Sequence, residues 1–364
     1  MKKKLVIVSA ALEGGALTIL TQFLNSIPLD KKKSYVLFVS DTLKLSQIVE
    51  GFECYYIDTS KWSRRIYYDF YGYSLLIRRL KLSVEVCINF QNIPCRLDKI
   101  KQIVYMHQSL PFYEHNWNIF DKSELKYWLY SKFYAYFIKL YKESANYFIV
   151  QANWIADALS KKITYNRENI LVFKPGVLDI FQEISDDPCN LNEMKFIYPA
   201  ADYKYKNHDV VIDAIHHLGS EYLKRNNIVI LFTVGKDSRL KSKVDCLGLS
   251  KHILFIGSKS AKELNDIYNS SYSLIFASKI ESFGLPLVEA ACKGLYIIAP
   301  SLPYAKEAIE DYDHVYFADP DDVSMWVDAI KKSIEQRSKV RAKFSYKDDW
   351  DTFNLFIESV CKNN

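Results

Sequence analysis

Short, nearly continuous apolar runs alternate with amphipathic segments along most of this chain. In the first half the apolar runs predict strands at residues 4–10, 35–40, 84–90, 102–107, 147–151 and 170–174. In the second half they predict strands at residues 196–199, 228–234, 253–256, 272–277 and 295–299. Strands that are apolar along their whole length are typical of parallel sheets covered on both faces. The repeated β-α-β pattern therefore predicts an α/β protein.

The length and one break in the pattern predict two domains. A chain of 364 residues corresponds to about two or three domains of ordinary size. Pro175-Gly176 interrupts the alternation, and residues 186–192 are interpreted as an early loop of the second domain. We predict two Rossmann-like domains, residues 1–174 and residues 175–344. A C-terminal helix at about residues 345–364 is expected to pack back on the first domain.

Charge is distributed unevenly between the halves. Up to Pro175 there are 25 Lys and Arg against 15 Asp and Glu, whereas the remainder has 23 against 28. The basic first half is expected to attract anions such as phosphate headgroups or a phosphorylated substrate. A solvated basic surface without a partner is the alternative interpretation.

The cysteines indicate a reducing compartment, and the hydropathy pattern predicts neither a signal peptide nor a membrane span. The seven cysteines are widely spread and form no C-x-x-C pair, which argues against a disulfide framework or a zinc site. The N-terminal apolar run ends at Glu13-Gly14-Gly15, which fits a first strand and turn better than a signal peptide. No apolar stretch reaches the roughly 18 residues of a membrane span. We expect a cytoplasmic protein, with peripheral attachment to the inner face of the plasma membrane as a possibility.

One segment combines lysines with aromatic residues. Residues 122–142 hold five lysines and eight aromatic side chains. A helix of this composition suits an anionic membrane surface, where aromatic rings lie at the headgroup level. It equally suits a core helix whose lysines extend into solvent, and the sequence does not separate the two.

The most informative stretch is residues 272–300, which has the pattern of strand, loop, helix and strand. Gly284 permits an unusual backbone conformation, and Pro286 is well placed in the first turn of a helix. The N-terminus of that helix presents free N–H groups, which favour a phosphate. Glu281 in the loop and Glu289 in the helix could accept hydrogen bonds from sugar hydroxyls. The pattern therefore indicates a ligand that carries both hydroxyls and phosphates.

This stretch, Glu-Ser-Phe-Gly-Leu-Pro-Leu-Val-Glu, resembles the Glu-seven residues-Glu motif of retaining GT-B glycosyltransferases of family 4. Upstream, Gly14-Gly15, the Pro175-Gly176-Val177 break and Lys206-Asn207-His208 resemble bacterial polysaccharide members of the O-antigen type. The resemblance covers nearly the whole chain and is weak at residues 42–89 and 110–146. It implies the GT-B fold, in which two Rossmann-like domains face each other across a cleft.

The resemblance implies roles for individual residues. Glu289 would bind the ribose hydroxyls of the nucleotide, and Glu281 would contact the donor sugar. Lys206 would neutralise the donor diphosphate, where charge develops as the glycosidic bond breaks. The remaining donor-binding positions that the resemblance implies are Gly15, Gly235, Ser282, Phe283, Gly284 and Leu285.

The chain departs from the family at one position. Many members carry an Arg five residues before the lysine, where this chain has Ala201. Either Lys204 or His208 supplies the second positive or hydrogen-bonding group, or backbone N–H groups hold the diphosphate.

His107 ends a predicted strand of the first domain, residues 102–107. Ligands of open α/β sheets bind beyond the carboxyl ends of the strands, and in the family a histidine here reaches the donor sugar. A structural histidine is the alternative interpretation. The resemblance assigns His107 to the catalytic residues, together with Lys206 and Glu281.

Other ligand classes find little support in the sequence. Asp319-Pro320-Asp321 superficially resembles a metal-binding D-x-D pattern, but it precedes an amphipathic segment and fits a helix cap better. Adjacent His216 and His217 point to different sides of a helix. No G-x-G-x-x-G follows the first strand, and no nucleic-acid motif is present. We therefore expect no metal, no cofactor and no nucleic-acid partner.

The sequence as a whole predicts a retaining, metal-independent glycosyltransferase of the hexosyltransferase type. The favoured partners are a UDP-linked sugar donor and a lipid-linked saccharide acceptor of a bacterial surface polysaccharide. Two alternatives remain at this point. One is a nucleotide-sugar epimerase of GT-B fold, and the other is a catalytically weak glycosyltransferase-like subunit that scaffolds an assembly complex.

Overall fold

The computed structural model describes residues 2–8, 15–43, 49–113, 117, 120–184, 192–336 and 341–362. The chain divides into two compact units. The first unit comprises Met1–Gly176 and Lys347–Asn364, and the second unit comprises Val177–Tyr346. Most of the predicted 186–192 loop, Gly14 and the end of the first predicted strand lie outside the described residues.

The first unit is built on a sheet of seven parallel strands. These are β1 (Lys3–Val8), β2 (Tyr35–Ser40), β3 (Glu53–Ile57), β4 (Val84–Asn89), β5 (Lys101–Tyr105), β6 (Tyr147–Val150) and β7 (Ile170–Val172). Their order is β3-β2-β1-β4-β5-β6-β7, and every neighbouring pair is parallel. The central strands β1, β2 and β4 are largely buried, as their apolar runs predict. Strand β3 was not predicted because it is a partly exposed edge strand that begins with Glu53.

Helices of the first unit cover this sheet. They are α1 (Gly15–Ser26), α2 (Trp62–Tyr67), α3 (Tyr73–Arg79), α4 (Lys122–Tyr141) and α5 (Asn153–Ile163). Helix α1 buries Ile19, Leu20, Phe23 and Leu24, which recur at helical spacing. Apolar residues of α4 and α5 pack with β5 and β6 in one hydrophobic cluster.

The second unit contains a sheet of six parallel strands. They are β8 (Met194–Tyr198), β9 (Ile228–Phe232), β10 (Ile253–Phe255), β11 (Ser273–Ile275), β12 (Tyr296–Pro300) and β13 (Val315–Ala318). The order is β10-β9-β8-β11-β12-β13, and all pairs are parallel. The five strands that the sequence predicts in this half are confirmed, and the partly exposed edge strand β13 was missed.

Helices again connect the strands. They are α6 (Asp179–Gln182), α7 (His208–Leu218), α8 (Ser220–Arg225), α9 (Arg239–Cys246), α10 (Ala261–Ser270), α11 (Leu285–Cys292), α12 (Pro303–Ala308) and α13 (Val323–Glu335). Helix α10 begins with a capping box, in which Ser260 and Glu263 satisfy each other's backbone N–H groups. Pro286 lies in the first turn of α11, as predicted.

The last helix, α14 (Trp350–Lys362), belongs to the first unit. Its Trp350 and Phe353 rings lie 6.0 and 5.5 Å from the ring of Phe23 on α1. The backbone N–H of Lys174 donates a hydrogen bond of 2.8 Å to the Asp349 carboxylate. The C-terminal segment is therefore anchored to the first unit by aromatic packing and by this hydrogen bond.

Strand order determines where a ligand can bind in each unit. In open parallel sheets, ligands bind beyond the carboxyl ends of two adjacent strands whose connections leave in opposite directions. In the second unit these strands are β8 and β11, and in the first unit they are β1 and β4. A ligand is therefore expected at the loops that follow these strands. Within the described ranges, the helices lack the length and apolarity needed to cross a membrane.

Candidate active site

Two charged side chains meet at the carboxyl ends of β8 and β11. Lys206 lies in the loop after β8, and Glu281 lies in the loop after β11. Their side chains form an ion pair, and each is only 16% exposed. Residues 75 positions apart in sequence are therefore adjacent at the strand-order reversal of the second unit.

The backbone around Lys206 is fixed by local interactions. The hydroxyl of buried Tyr198, the last residue of β8, donates a hydrogen bond to the Lys206 carbonyl oxygen. Asn207 follows with a φ of 56°, and its side chain donates to the Pro320 carbonyl oxygen at 2.7 Å. The Lys206 ammonium lies 5.8 Å from the centre of the Phe276 ring, within cation–π range. A lysine held in this way is a preorganised positive charge.

The loop from Glu281 leads directly into α11. Gly284 is its N-cap residue, with a φ of 88° that L-residues with a side chain rarely adopt. A β-carbon there would lie 3.1 Å from side-chain atoms of Leu287 and Tyr304. Ser282 and Leu285 are partly buried, whereas the Phe283 side chain is buried. Phe283 can therefore contact a ligand through its backbone but not through its side chain.

Glu289 lies within α11 and is paired with a tyrosine. The hydroxyl of Tyr268 on α10 donates a hydrogen bond of 3.0 Å to Glu289 Oε2. Burial raises the pKa of Glu289 to about 7, and the hydrogen bond from Tyr268 opposes that rise. A carboxylate in this setting is a strong acceptor when it is ionised.

His208 does not supply the second positive charge considered from the sequence. Its side chain is fully buried at the start of α7, stacked on Tyr198 at 4.4 Å and edge-on to Phe232 at 4.9 Å. Desolvation lowers its pKa to about 4, so the imidazole is neutral at physiological pH. The neutral ring leaves only the hydrogen-bonding role that the sequence also offered for His208, and that role stays a prediction.

The other predicted donor-binding positions of the second unit lie in loops. Gly235 follows β9 at the same edge of the sheet, and Lys204 is exposed two residues before Lys206. Next to Ala201, Asp202 accepts a hydrogen bond of 2.6 Å from Ser238 and pairs with Arg239 at 3.3 Å. Among Lys204 and His208, only Lys204 therefore keeps a charge that could assist Lys206.

In the first unit, His107 lies just beyond the end of β5. Its backbone N–H donates to Asn92 Oδ1 at 2.7 Å, which fixes the amide so that Asn92 Nδ2 faces His107 Nε2 at 3.0 Å. Nε2 consequently accepts, and the ring proton is on Nδ1. Nδ1 is buried and has no partner within the described part of the chain. Burial, followed by the charge of Arg65, lowers the pKa of His107 to about 4. His107 is thus a neutral ring whose Nδ1–H donates to none of the described residues.

Sequence reasoning missed Asn92 and Tyr268. Asn92 follows β4 with a φ of 65°, a conformation in which asparagine is enriched, but only the fold places it beside His107. Gly15, also predicted to bind the donor, is the exposed first residue of α1.

No metal-binding cluster is formed by the residues that the structure describes. Asp321 pairs with Lys279, and Asp319 accepts a hydrogen bond of 2.9 Å from the Asp321 backbone N–H. The N-cap of α13 is Asp322, which accepts hydrogen bonds from Ser324 and Met325.

The second unit thus combines a preorganised lysine, two carboxylates and a helix N-terminus beside a parallel sheet. Together with the two parallel sheets and their helices, these features define a GT-B glycosyltransferase fold. Residues 180–348 match the family model of glycosyl transferases group 1. That part of the chain is therefore a group 1 glycosyltransferase domain.

Known proteins of similar sequence and structure agree with this assignment. The O-antigen chain mannosyltransferase RfbU of Salmonella typhimurium is 24% identical over 295 residues, which cover 79% of this chain and 76% of RfbU. The crystal structure of Anabaena HepE in complex with UDP superposes with a TM-score of 0.70 at 14% identity and covers 100% of both chains. WaaG, a glycosyltransferase involved in lipopolysaccharide biosynthesis, has a TM-score of 0.68 at 13% identity, covering 92% of this chain and 90% of WaaG.

Proposed function

We propose that this protein transfers a hexose from a nucleotide-sugar donor to a growing bacterial surface polysaccharide, with retention of configuration. The observation that carries the proposal is the Lys206–Glu281 pair next to the N-terminus of α11. The similarity to RfbU, a mannosyltransferase of the O-antigen chain, supports the class of sugar and acceptor. The UDP in the HepE complex supports a UDP-linked donor.

The proposed chemistry needs stabilisation of the leaving diphosphate. Lys206 supplies a fixed positive charge, and the backbone N–H groups at the start of α11 add the positive end of a helix dipole. These groups act on charge that develops as the glycosidic bond breaks, without a metal ion. Glu281 contacts the donor sugar and Glu289 accepts hydrogen bonds from the ribose.

Retention is proposed to proceed without a covalent sugar–enzyme intermediate. The Glu281 carboxylate already pairs with Lys206, which makes it a poor nucleophile. The acceptor hydroxyl would instead attack on the face that the diphosphate leaves, and the diphosphate would take its proton. In the first unit, His107 Nδ1–H has no partner among the described residues, which supports a role for it as hydrogen-bond donor to a sugar hydroxyl.

A donor panel tests this proposal. The purified protein is incubated with UDP- and GDP-linked hexoses, with and without a lipid-diphosphate-linked saccharide, and with EDTA in a parallel set. We expect transfer to the lipid-linked acceptor, unaffected by EDTA, and a product whose anomeric configuration by NMR matches that of the donor. Conversion of the donor without acceptor would indicate an epimerase. Absence of turnover in a protein that binds nucleotide would favour the scaffold alternative.

Helix α4 is the proposed membrane contact. Its inner face packs in the core through Tyr134 and Ile138. The opposite face is exposed and apolar along helical spacing, and consists of Leu129, Phe133, Tyr136 and Leu140, which are 39%, 57%, 60% and 54% exposed. Lys126, Lys132 and Lys139 are exposed among them. One side of α4 thus packs in the core, and the other side presents an apolar and aromatic surface bordered by lysines. This arrangement supports an anionic membrane as partner.

Replacing Lys126, Lys132 and Lys139 by Glu is expected to abolish binding to anionic vesicles and to leave UDP affinity unchanged. Each basic residue near an anionic leaflet contributes about 1 kcal/mol, and salt screens part of it. Vesicle co-sedimentation measures the effect. The matched control makes the same charge change at Lys224, Lys251 and Lys262, which are exposed in the second unit. Wild type that stays in the supernatant with anionic vesicles at low salt would exclude the membrane role.

A further inference from the structure

The hydrogen bond between α10 and α11 involves a tyrosine with no role in the mechanism above. Tyr268 is fully buried, and its ring packs edge-on against Phe181 at 5.6 Å. Its hydroxyl donates to Glu289 Oε2 at 3.0 Å. A side chain this constrained fixes the orientation of the group it binds, because its own rotamer cannot change without disturbing the core.

We propose that Tyr268 is a positioning residue for nucleotide binding: its hydroxyl orients the Glu289 carboxylate so that the remaining acceptor sites face the ribose hydroxyls of the donor. This inference rests on the proposed function, in which Glu289 binds the ribose. A carboxylate has about four acceptor sites on two oxygens. With Oε2 held by Tyr268, Oε1 and the second site of Oε2 remain for two adjacent hydroxyls.

The same hydrogen bond favours the ionised carboxylate. Burial raises the pKa of Glu289, and the Tyr268 hydroxyl lowers it by stabilising the charged form. Among titratable groups on the elements packed against α11, Asp179 on α6 and Lys306 and Glu307 on α12 are not among the causes of this shift. On α11 itself, burial and then the Glu289 charge raise the pKa of Cys292. Tyr268 is therefore the side chain that opposes the cost of burial.

The expected result follows from the sign of this shift. Because the pKa of Glu289 is raised, the ionised form is lost as the pH falls through about 7. Tyr268→Phe keeps the ring but removes the hydrogen-bond donor, so the pKa of Glu289 should rise further. As the pH is lowered, the loss of UDP affinity should therefore begin at a higher pH than in wild type. A rise of one unit lowers the ionised fraction about tenfold at pH values below the pKa. We expect UDP affinity to fall about 5- to 10-fold at pH 6.5 and less than about 3-fold at pH 8.5.

Isothermal titration with UDP between pH 6 and pH 9 measures this profile. Glu289→Gln removes the carboxyl titration, and its profile gives the contribution from ionisation of UDP itself. Tyr312→Phe is the matched control, because Tyr312 is also buried in the second unit and donates its hydroxyl to a backbone carbonyl, that of Leu295, at 2.6 Å. This control should keep the wild-type profile.

The outcomes separate this inference from the proposed function. If Glu289→Gln binds UDP as wild type does at every pH, Glu289 does not bind the ribose and the site assignment fails as well. If Glu289→Gln weakens binding while Tyr268→Phe keeps the wild-type profile, only the role of Tyr268 is overturned. A Tyr268→Phe loss that is equal at all pH values would show a structural effect and would likewise overturn it.

Discussion

Lys206→Ala is expected to lower turnover by about 10²–10³-fold, the usual effect of removing one preorganised group that stabilises transition-state charge. Lys206 is suited to this role because its backbone is held by Tyr198 and Asn207 and its ammonium is largely buried. The substitution also leaves Glu281 without its partner, so an unpaired carboxylate would face the diphosphate. Initial rates with saturating donor and acceptor provide the measurement.

The matched control for this substitution is Lys243→Ala. Lys243 is a partly exposed lysine of the second unit that pairs with Asp209 and Asp213 on α7. The Lys243→Ala variant should remain folded, because exposed and partly exposed ion pairs contribute little to stability. It should also retain wild-type turnover, because Lys243 has no role in the proposed chemistry. A Lys206→Ala rate within about threefold of the control would show that Lys206 does not stabilise the leaving group.

The sheets were predictable because their central strands are buried on both faces. Continuous apolar runs identify such strands, and each of the eleven predicted strands overlaps a described strand of the correct sheet, with small differences at the ends. The edge strands β3 and β13 are only partly buried, so polar residues interrupt their pattern. Burial, not strand propensity, was the signal.

The environment of single side chains was less predictable. The periodicity of α7 could have placed His208 on the buried face, since Val211, Ile212 and Ile215 share it. The Tyr268–Glu289 pair had no such signal, because the partners are 21 residues apart and lie on helices on either side of β11. Their contact depends on how α10 and α11 pack, which local patterns do not encode.

Gly294→Ala is expected to destabilise the second unit by about 2–5 kcal/mol, the sum of a backbone cost and a packing cost. Gly294 follows α11 with a φ of 69°, a conformation that costs an L-residue about 1–2 kcal/mol. A β-carbon there would lie 2.5 Å from the Ala342 carbonyl oxygen and 2.6 Å from Arg341 Cβ. Backbone would have to move, and with it Arg341, whose guanidinium donates to the carbonyl oxygens of Lys293 and Asn269.

Gly248→Ala separates the two costs. Gly248 has the same φ of 69°, but a β-carbon there meets no atom within 4 Å. This variant should lose only the backbone cost of about 1–2 kcal/mol. Urea unfolding of the full chain, followed by hydrogen exchange of peptides that cover α11 and β12, reports on the second unit directly. Equal destabilisation by the two substitutions would show that the segment at Arg341 and Ala342 yields freely, and that it does not hold the end of α11 in place.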